Sequence, residues 1–493
     1  MKEEVIVIGS GVGGLASAIR LAKLGNKVTV FEKNSFIGGK VHTRTFKGYR
    51  YDMGPSVFTE PELIRELIAL GIDQEPFEYH ALPESFRYFF SDGTSHTLPT
   101  GMEATKNVLI SEFNENPQKV HTYLNRLKTN YEVLKPVFIE TTLHRFSHLL
   151  NKNLIPAIVN IPQYGLMISM NGFSKRFFKN PKSIQLMNRF ATYNGSDPFK
   201  TPGLLSIIGH LEFNEGIFFP KGGMVSITES LARTARSLGV DFRLDTPVQS
   251  IAVENNRVTG VYASDTFHSA SVVVSNADAH FTYEQLMPQV KRPKKILRQE
   301  LSSSAVVFYW GIQKEFKELG VHNIFFTEDY SGEFKAIFES KTMIEDPTIY
   351  LHISSKAEPS DAPPGCENLF VMVNAPVNIG QDWDSLVAQL RANVINKLNR
   401  TLGVDIAPFI ETEYINDPVK LQQVYNGKGG SIYGNSSNSA LAAFYRHPNH
   451  APTVKGIYFA GVTVHPGGGI PLALNGAKIV ERMVREDFKA MPS

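Results

Sequence analysis

The chain has 493 residues, 42% hydrophobic and 20% charged, the make-up of a globular protein with core enough for two or three domains. Its formal net charge of +2 leaves no basic excess for a phosphate backbone, which excludes nucleic acid as a partner. One cysteine, Cys366, rules out an intrachain disulfide and fits a reducing compartment. No run reaches the ~18–20 apolar residues that span a bilayer; the longest, LIPAIVNIPQYGLMISM (154–170), is broken by Pro156, Asn160 and Pro162.

The chain opens on an aliphatic run, Val5–Ile8, the pattern of a parallel strand buried on both faces. Its short length and the acids Glu3 and Glu4 set it apart from a secretion signal. Gly9, Gly11 and Gly14 follow in G-x-G-x-x-G spacing. In that motif the first glycine permits a tight turn, the second lets main chain approach a pyrophosphate, and the third brings helix and strand together. A helix is predicted from Val12 to Leu24, its N–H groups and dipole aimed at the phosphates. A strand over Lys27–Phe31 then delivers Glu32, about 20 residues after the glycines, where a carboxylate accepts from ribose hydroxyls and repels a 2′-phosphate. Strand, glycines, helix, strand and acid in that order predict a dinucleotide site.

Between Glu140 and Asp197 there is no acidic residue, while Arg145, Lys152, Lys175, Arg176, Lys179, Lys182 and Arg189 alternate with Leu, Ile, Phe and Met. With GFSKRFFKN (172–180), this predicts a basic-apolar patch, about residues 143–189, that meets an anionic bilayer. From 218 to 278 the α/β pattern returns: a helix, a strand near Val240–Leu244, a hairpin turning at Asn255-Asn256, and a buried strand over Ser271–Ser275. Period-2 runs in SSAVVFYWGI, TIYLHISS and NLFVMVNAP predict an antiparallel sheet flooring a pocket. The segment KGIYFAGVTVHPGGGIPLALNGAKIVERMV (455–484) adds a strand, a glycine turn and a final helix. No second complete glycine fingerprint follows, which argues against a reductase using two nucleotides. His144 and His148 stand at helical spacing but have no third ligand, so no metal is expected.

Four stretches together resemble the bacterial-type phytoene desaturase family of carotenoid biosynthesis, flavoproteins of the amine oxidase–phytoene desaturase superfamily. They are the fingerprint through FEKNSFIGGKVHT (31–43); YDMGPSVFT (51–59); ATYNGSDPFKTPGLLSIIGHLEFNEGIFFPKGGM (191–224) with SNAD (275–278); and GIYFAGVTVHPGGGIPLALNGAKI (456–479). FRYFFSDGTSHTLP (86–99) and residues 38–59 look closest to the flavobacterial hydroxycarotenoid 3,4-desaturases.

The resemblance implies an α/β fold: a Rossmann-like FAD-binding domain with an inserted substrate domain built on an antiparallel sheet, and a helical membrane-associating cap. The expected division is 1–75, 216–290 and 446–493 for FAD; 76–110 and 291–445 for substrate; and 111–215 for the cap. It implies FAD as the cofactor, held by Gly9, Gly11, Gly13, Gly14, Glu32, Lys33, Gly38, Gly39, Lys40, Val41, Gly54, Pro55, Ser56, Val248, Gly461, Gly468, Gly469, Ile470 and Pro471. Gly467–Gly469 are expected to admit the flavin ring to the start of the last helix, where a side chain would push it away. One departure stands out: many superfamily members carry an acid just after the C-terminal Ala-Gly, and here that position is Val462.

The implied activity is desaturation of an acyclic carotenoid end, best matched by 3,4-desaturation of a 1-hydroxylated monocyclic substrate. Phytoene or diapophytoene desaturation and carotenoid oxygenation share the scaffold, and a non-redox prenyl-lipid chaperone is the alternative of another class. Asp197, Glu212 and His465 lie inside family motifs and are candidates for catalysis, though structural duties suit each of them as well. The substrate would come from the bilayer, with oxygen or a quinone as electron acceptor and the protein on the inner face of the cytoplasmic membrane.

Overall fold

The aliphatic run Glu4–Ile8 lies at the centre of a five-stranded sheet ordered Ile457–Phe459, Val272–Ser275, Glu4–Ile8, Lys27–Phe31, Asp241–Arg243. Every pairing is parallel, and Val5 to Ile8 are buried on both sides, as an all-parallel sheet demands. The computed structural model describes residues 3–72, 75–145, 148, 152–439, 442 and 445–489.

One face of the sheet carries the helices Val12–Lys23, Val225–Ser237 and Ile470–Lys489, which share a core through Leu15, Ile19, Leu231, Leu474 and Val480. The other face is covered by an antiparallel three-stranded sheet, Val248–Glu254, Arg257–Ala263 and Thr266–Ser269. Its first hairpin turns at Asn255 and Asn256, both at positive φ (48° and 58°), the backbone that suits a two-residue hairpin loop and that asparagine tolerates.

A second large sheet has seven strands, ordered Ile410–Asn416, Ser304–Ile312, Glu367–Ala375, Ile349–Ile353, His322–Phe325, Glu84–Phe89, Ser95–Pro99. Only the pairing of His322–Phe325 with Glu84–Phe89 is parallel. Alternation of side chains gives the strand Ser304–Ile312 two different duties. Val306, Phe308, Trp310 and Ile312 pack on the helix Trp383–Leu402 through Leu390, Val394 and Leu398. Ala305, Val307 and Tyr309 point the other way, toward Tyr49, Tyr51 and Met53.

Helices between residues 102 and 215 form a lid on the second sheet. Asn116-Pro117 and Asn180-Pro181 start two of them alike, an asparagine side chain accepting from the first turn and proline at the first helical position. Here the expected bilayer surface needs correction in its aromatic part. Phe173, Phe177 and Phe178 are buried with Tyr123 and Leu186 in the lid's own core, so GFSKRFFKN turns its aromatics inward and leaves Lys175, Arg176 and Lys179 exposed. Arg189 is buried against Glu212, Arg145 pairs with Asp487 and Lys182 with Asp92. For these three cations the acids are supplied from elsewhere in the chain. Residues 146, 147 and 149–151 of that patch lie outside the described residues.

Glu333, buried beneath the lid, accepts from Thr348 N at 2.8 Å and Thr348 Oγ1 at 2.7 Å. Burial nonetheless pushes its carboxyl up to about 7. A raised carboxyl pKa favours the folded state at low pH and withdraws that support as pH climbs through the folded value. Stability should thus fall by on the order of 3 kcal/mol between pH 4.5 and 7.5. Urea midpoints measured across that window should lose this slope in Glu333→Gln.

Candidate active site

The two large sheets enclose one cavity of about 720 Å³, bounded by the carboxyl ends of the parallel strands and by Ala305, Val307, Tyr309, Phe370 and Met372 of the second sheet. That is where open parallel sheets bind ligands. Eighteen of the nineteen expected cofactor residues line it. Gly14 does not: a Cβ there would overlap Gly9 O, so it is glycine to let the helix lie on the strand.

Asn276, from the SNAD stretch, explains three more glycines. An added Cβ would meet its side chain at 2.6 Å from Gly11, 2.9 Å from Gly13 and 2.6 Å from Gly461, while its Nδ2 donates to Ala460 O at 2.8 Å. This one side chain clamps the first and last segments together. Beside it the helix Val12–Lys23 begins with no side-chain cap and no acid in its first turn, an open anion site. Glu32 is buried at the same end and already fully engaged. Oε2 accepts from Ser10 N and Oγ, both at 2.8 Å, and Oε1 from Asn34 N and Nδ2, both at 2.9 Å. Lys40, half-buried, donates to Ile432 O at 2.7 Å; desolvation outweighs the field of Asp278 and lowers it to about 8.

The C-terminal glycine turn differs from expectation in one respect. A Cβ on Gly468 would overlap the Tyr433 ring, and one on Gly467 would approach Leu472 and Arg446. Gly468 is demanded by that packing, and Gly467 by its backbone at φ 145°. Gly469 is the one beside which a Cβ would enter open cavity, with no atom within 4 Å.

The three candidates for catalysis part company. Asp197 lies off the cavity, its Oδ1 accepting from Phe199 N at 2.8 Å and its N–H donating to Asn438 Oδ1 at 2.7 Å. His465 also lies off it, Nε2 bonded to Thr141 O at 2.8 Å and kept neutral by burial, which lowers it to about 4. Both hold turns together. Glu212 does reach the cavity wall, but its carboxylate is taken by Arg189 Nη2 at 2.7 and 2.8 Å and by Tyr193 OH at 2.9 Å.

A hydrogen-bonded row that no motif in the sequence marks runs back from the same wall: Ser56 Oγ to Tyr350 OH at 2.6 Å, and Tyr350 OH to His322 Nδ1 at 2.8 Å. Tyr350 and His322 sit on period-2 strands, where alternation shows two faces but not which one meets the cavity. Among the described residues no group of three potential metal ligands occurs.

The sequence profile of flavin-containing amine oxidoreductases matches residues 12–480. The chain belongs to that family. Relatives similar to this chain in sequence include the 1-hydroxycarotenoid 3,4-desaturase of Flavobacterium sp. (strain P99-3), 44% identical over 98% of this chain and 99% of the relative. The phytoene desaturase of Fusarium fujikuroi is 32% identical over 99% and 90%, and the 4,4'-diapolycopene oxygenase of Methylomonas sp. 30% over 99% of both. In fold, an oxidoreductase from Methanosarcina mazei (TM-score 0.65, 16% identity, covering 97% of this chain and 100% of the other) is similar. So is cyclohexylamine oxidase from Brevibacterium oxydans (TM-score 0.64, 16%, 99% and 100%).

The protein is an FAD-dependent oxidoreductase, and the residues present fit that cofactor. The uncapped helix start suits the diphosphate, the carboxylate at Glu32 the ribose, and the space beside Gly469 admits a flat ring where any side chain would intrude.

Proposed function

We propose that this enzyme desaturates the acyclic end of a carotenoid, most closely a 3,4-desaturation of a 1-hydroxylated, monocyclic substrate. The full-length likeness to the Flavobacterium desaturase carries the reading. The cavity supports it, because beyond the glycine turn its wall is largely hydrocarbon: Phe86, Leu205, Ile208, Leu211, Ile324, Phe370. A substrate that is hydrocarbon apart from one hydroxyl is aligned mainly by shape and by exclusion of water.

When bound, FAD supplies the acceptor for one substrate hydrogen with its electron pair; the second hydrogen leaves as a proton. Gly9, Gly11, Gly13, Glu32, Lys33, Gly38, Gly39, Lys40, Val41, Gly54, Pro55, Val248, Gly461, Gly468, Gly469, Ile470 and Pro471 form the proposed cofactor wall, and Gly14 its packing support. Ser56 Oγ faces the cavity as the open end of the row through Tyr350 OH to His322. Burial and the neighbouring His352 and Arg189 hold His322 well below its usual range, so the ring stays neutral and the row fixes Tyr350 OH and Ser56 Oγ in place at the cavity wall.

The test is expression in bacteria that make acyclic, monocyclic and 1-hydroxylated carotenoids, followed by mass analysis of pigments. The reading requires a product lighter by two hydrogens from the hydroxylated substrate. A product heavier by oxygen makes the enzyme an oxygenase, conversion of phytoene alone moves it to the earlier desaturases, and a purified protein that holds no flavin points to a lipid chaperone.

Membrane docking belongs to the same proposal, with oxygen or a quinone taking up the electrons. No helix among the described residues is long and apolar enough to cross a bilayer. One projecting segment, however, exposes Ile155 (68%), Ile158 (55%), Val159 (70%) and Met167 (88%), next to exposed Lys152. Apolar side chains beside a cation suit an interfacial anchor. Ile158→Asp with Val159→Asp should cut co-sedimentation with phosphatidylglycerol vesicles at least tenfold, while leaving turnover of detergent-solubilised substrate near normal.

A further inference from the structure

Of the three buried arginines among the described residues, two are neutralised: Arg20 by Glu66 and Glu481, and Arg189 by Glu212. Arg446 is not. It is 2% exposed and lines the cavity, yet no carboxylate of the described residues lies within 4.0 Å of it. Its donors go to three main-chain carbonyls: Nη1 to Tyr433 O at 3.2 Å and Val462 O at 3.3 Å, and Nη2 to Asn435 O at 3.2 Å. Carbonyls fix the plane of a guanidinium without cancelling its charge, and a buried charge without a counter-ion is costly. The adjacent histidines are neutral, since burial lowers His447 to about 3 and His465 to about 4, so they neither cancel the charge nor add to it. Desolvation alone governs Arg446 itself, lowering it to about 10, and it stays charged at neutral pH.

The position shows which anion is missing. A Cβ at Gly467 would come within 3.4 Å of Arg446 Nε, and Tyr433, whose carbonyl the guanidinium holds, packs its ring on Gly468. The charge therefore sits behind the C-terminal glycine turn. The diphosphate end lies elsewhere in the cavity, at the start of the helix Val12–Lys23. At the turn the ligand is the isoalloxazine, neutral when oxidised. Transfer of a hydride brings it two electrons and one proton, which leaves one net negative charge. We propose that Arg446 is the counter-charge for the reduced flavin, so that the protein binds the reduced ring more tightly than the oxidised one and raises its potential. Val462, whose carbonyl the guanidinium holds, brings no carboxylate to it.

The inference rests on the cofactor and not on the choice of substrate, and its test needs no carotenoid. The midpoint potential of bound FAD is measured with xanthine, xanthine oxidase and a reference dye in wild type, Arg446→Gln and Arg446→Lys. Glutamine still donates to the carbonyls but carries no charge; lysine keeps the charge. Arg446→Gln should bind reduced relative to oxidised flavin about tenfold to hundredfold less well, a drop of about 30–60 mV for a two-electron couple, with Arg446→Lys near wild type. Sulfite, which adds to oxidised flavin and leaves it anionic, should bind wild type far more tightly than it binds free FAD. Its affinity should fall in step in Arg446→Gln. If Arg446→Gln does not hold FAD, the wild-type sulfite affinity and the Arg446→Lys potential decide. An unmoved potential in Arg446→Gln, sulfite binding by wild type no better than by free FAD, or loss of oxidised FAD with no change in the potential of what remains would each overturn the assignment, the last by moving the charge to the diphosphate.

Discussion

Exchange of Glu32 for glutamine is expected to weaken FAD binding by roughly a hundredfold, or about 3 kcal/mol. Ser10 N, Ser10 Oγ, Asn34 N and Asn34 Nδ2 already fill the four acceptor sites of its carboxylate. A glutamine offers acceptors on one side only; its amide nitrogen would face two donors. A ribose hydroxyl must displace Ser10 Oγ or Asn34 Nδ2, the two donors able to rotate away, and leaves the main-chain pair in place. Ser10→Ala should therefore cost little or even tighten binding. Fluorescence titration of apoprotein with FAD measures both. Equal affinity in Glu32→Gln and wild type would remove Glu32 from the site.

The buried pair Arg189 and Glu212 should show the largest effect on stability. Glu212→Gln leaves the guanidinium enclosed by Phe86, Tyr88, Phe190 and Tyr193 without its counter-ion. Loss of one partner from such a pair costs about 3–5 kcal/mol, whereas apolar replacement of both is often close to neutral. Urea unfolding should rank Glu212→Gln well below wild type and the double variant Arg189→Met with Glu212→Leu near it. The reverse order would mean that the pair is screened by solvent. Because both residues line the cavity, the double variant also shows whether their polarity matters for the product formed.

What could be read in the sequence was local. The run Val5–Ile8, the spaced glycines and Glu32 announce their structure within thirty residues, since turn, helix start and strand end are all neighbours along the chain. Period 2 in Ser304–Ile312 likewise announced a strand with two faces. What escaped depended on distant partners. Arg189 looked like part of a basic surface until Glu212, on a separate helical turn, closed on it. Phe173, Phe177 and Phe178 looked fit for lipid because their neighbours are basic, and only the packing of Tyr123 against them shows a core. The division of labour between Gly468 and Gly469 hangs on Tyr433, thirty-five residues earlier. Arg446 carried no signal at all, since an unpaired charge is defined by what fails to surround it.

The parallel sheet takes its strands from the beginning, middle and end of the chain. At roughly 5–20 residues per second of synthesis, Gly9 waits some 20–90 s before Gly461 leaves the ribosome. During that interval Asn276 has no second segment to clamp, and the uncapped helix start has no opposite wall. Cofactor loading is thereby postponed until the segment around Gly461 has been made, which makes a yellow protein a report that synthesis has passed that point. A chain that stalls earlier is colourless, exposes the apolar floor meant for its substrate, and offers chaperones and proteases a ready mark.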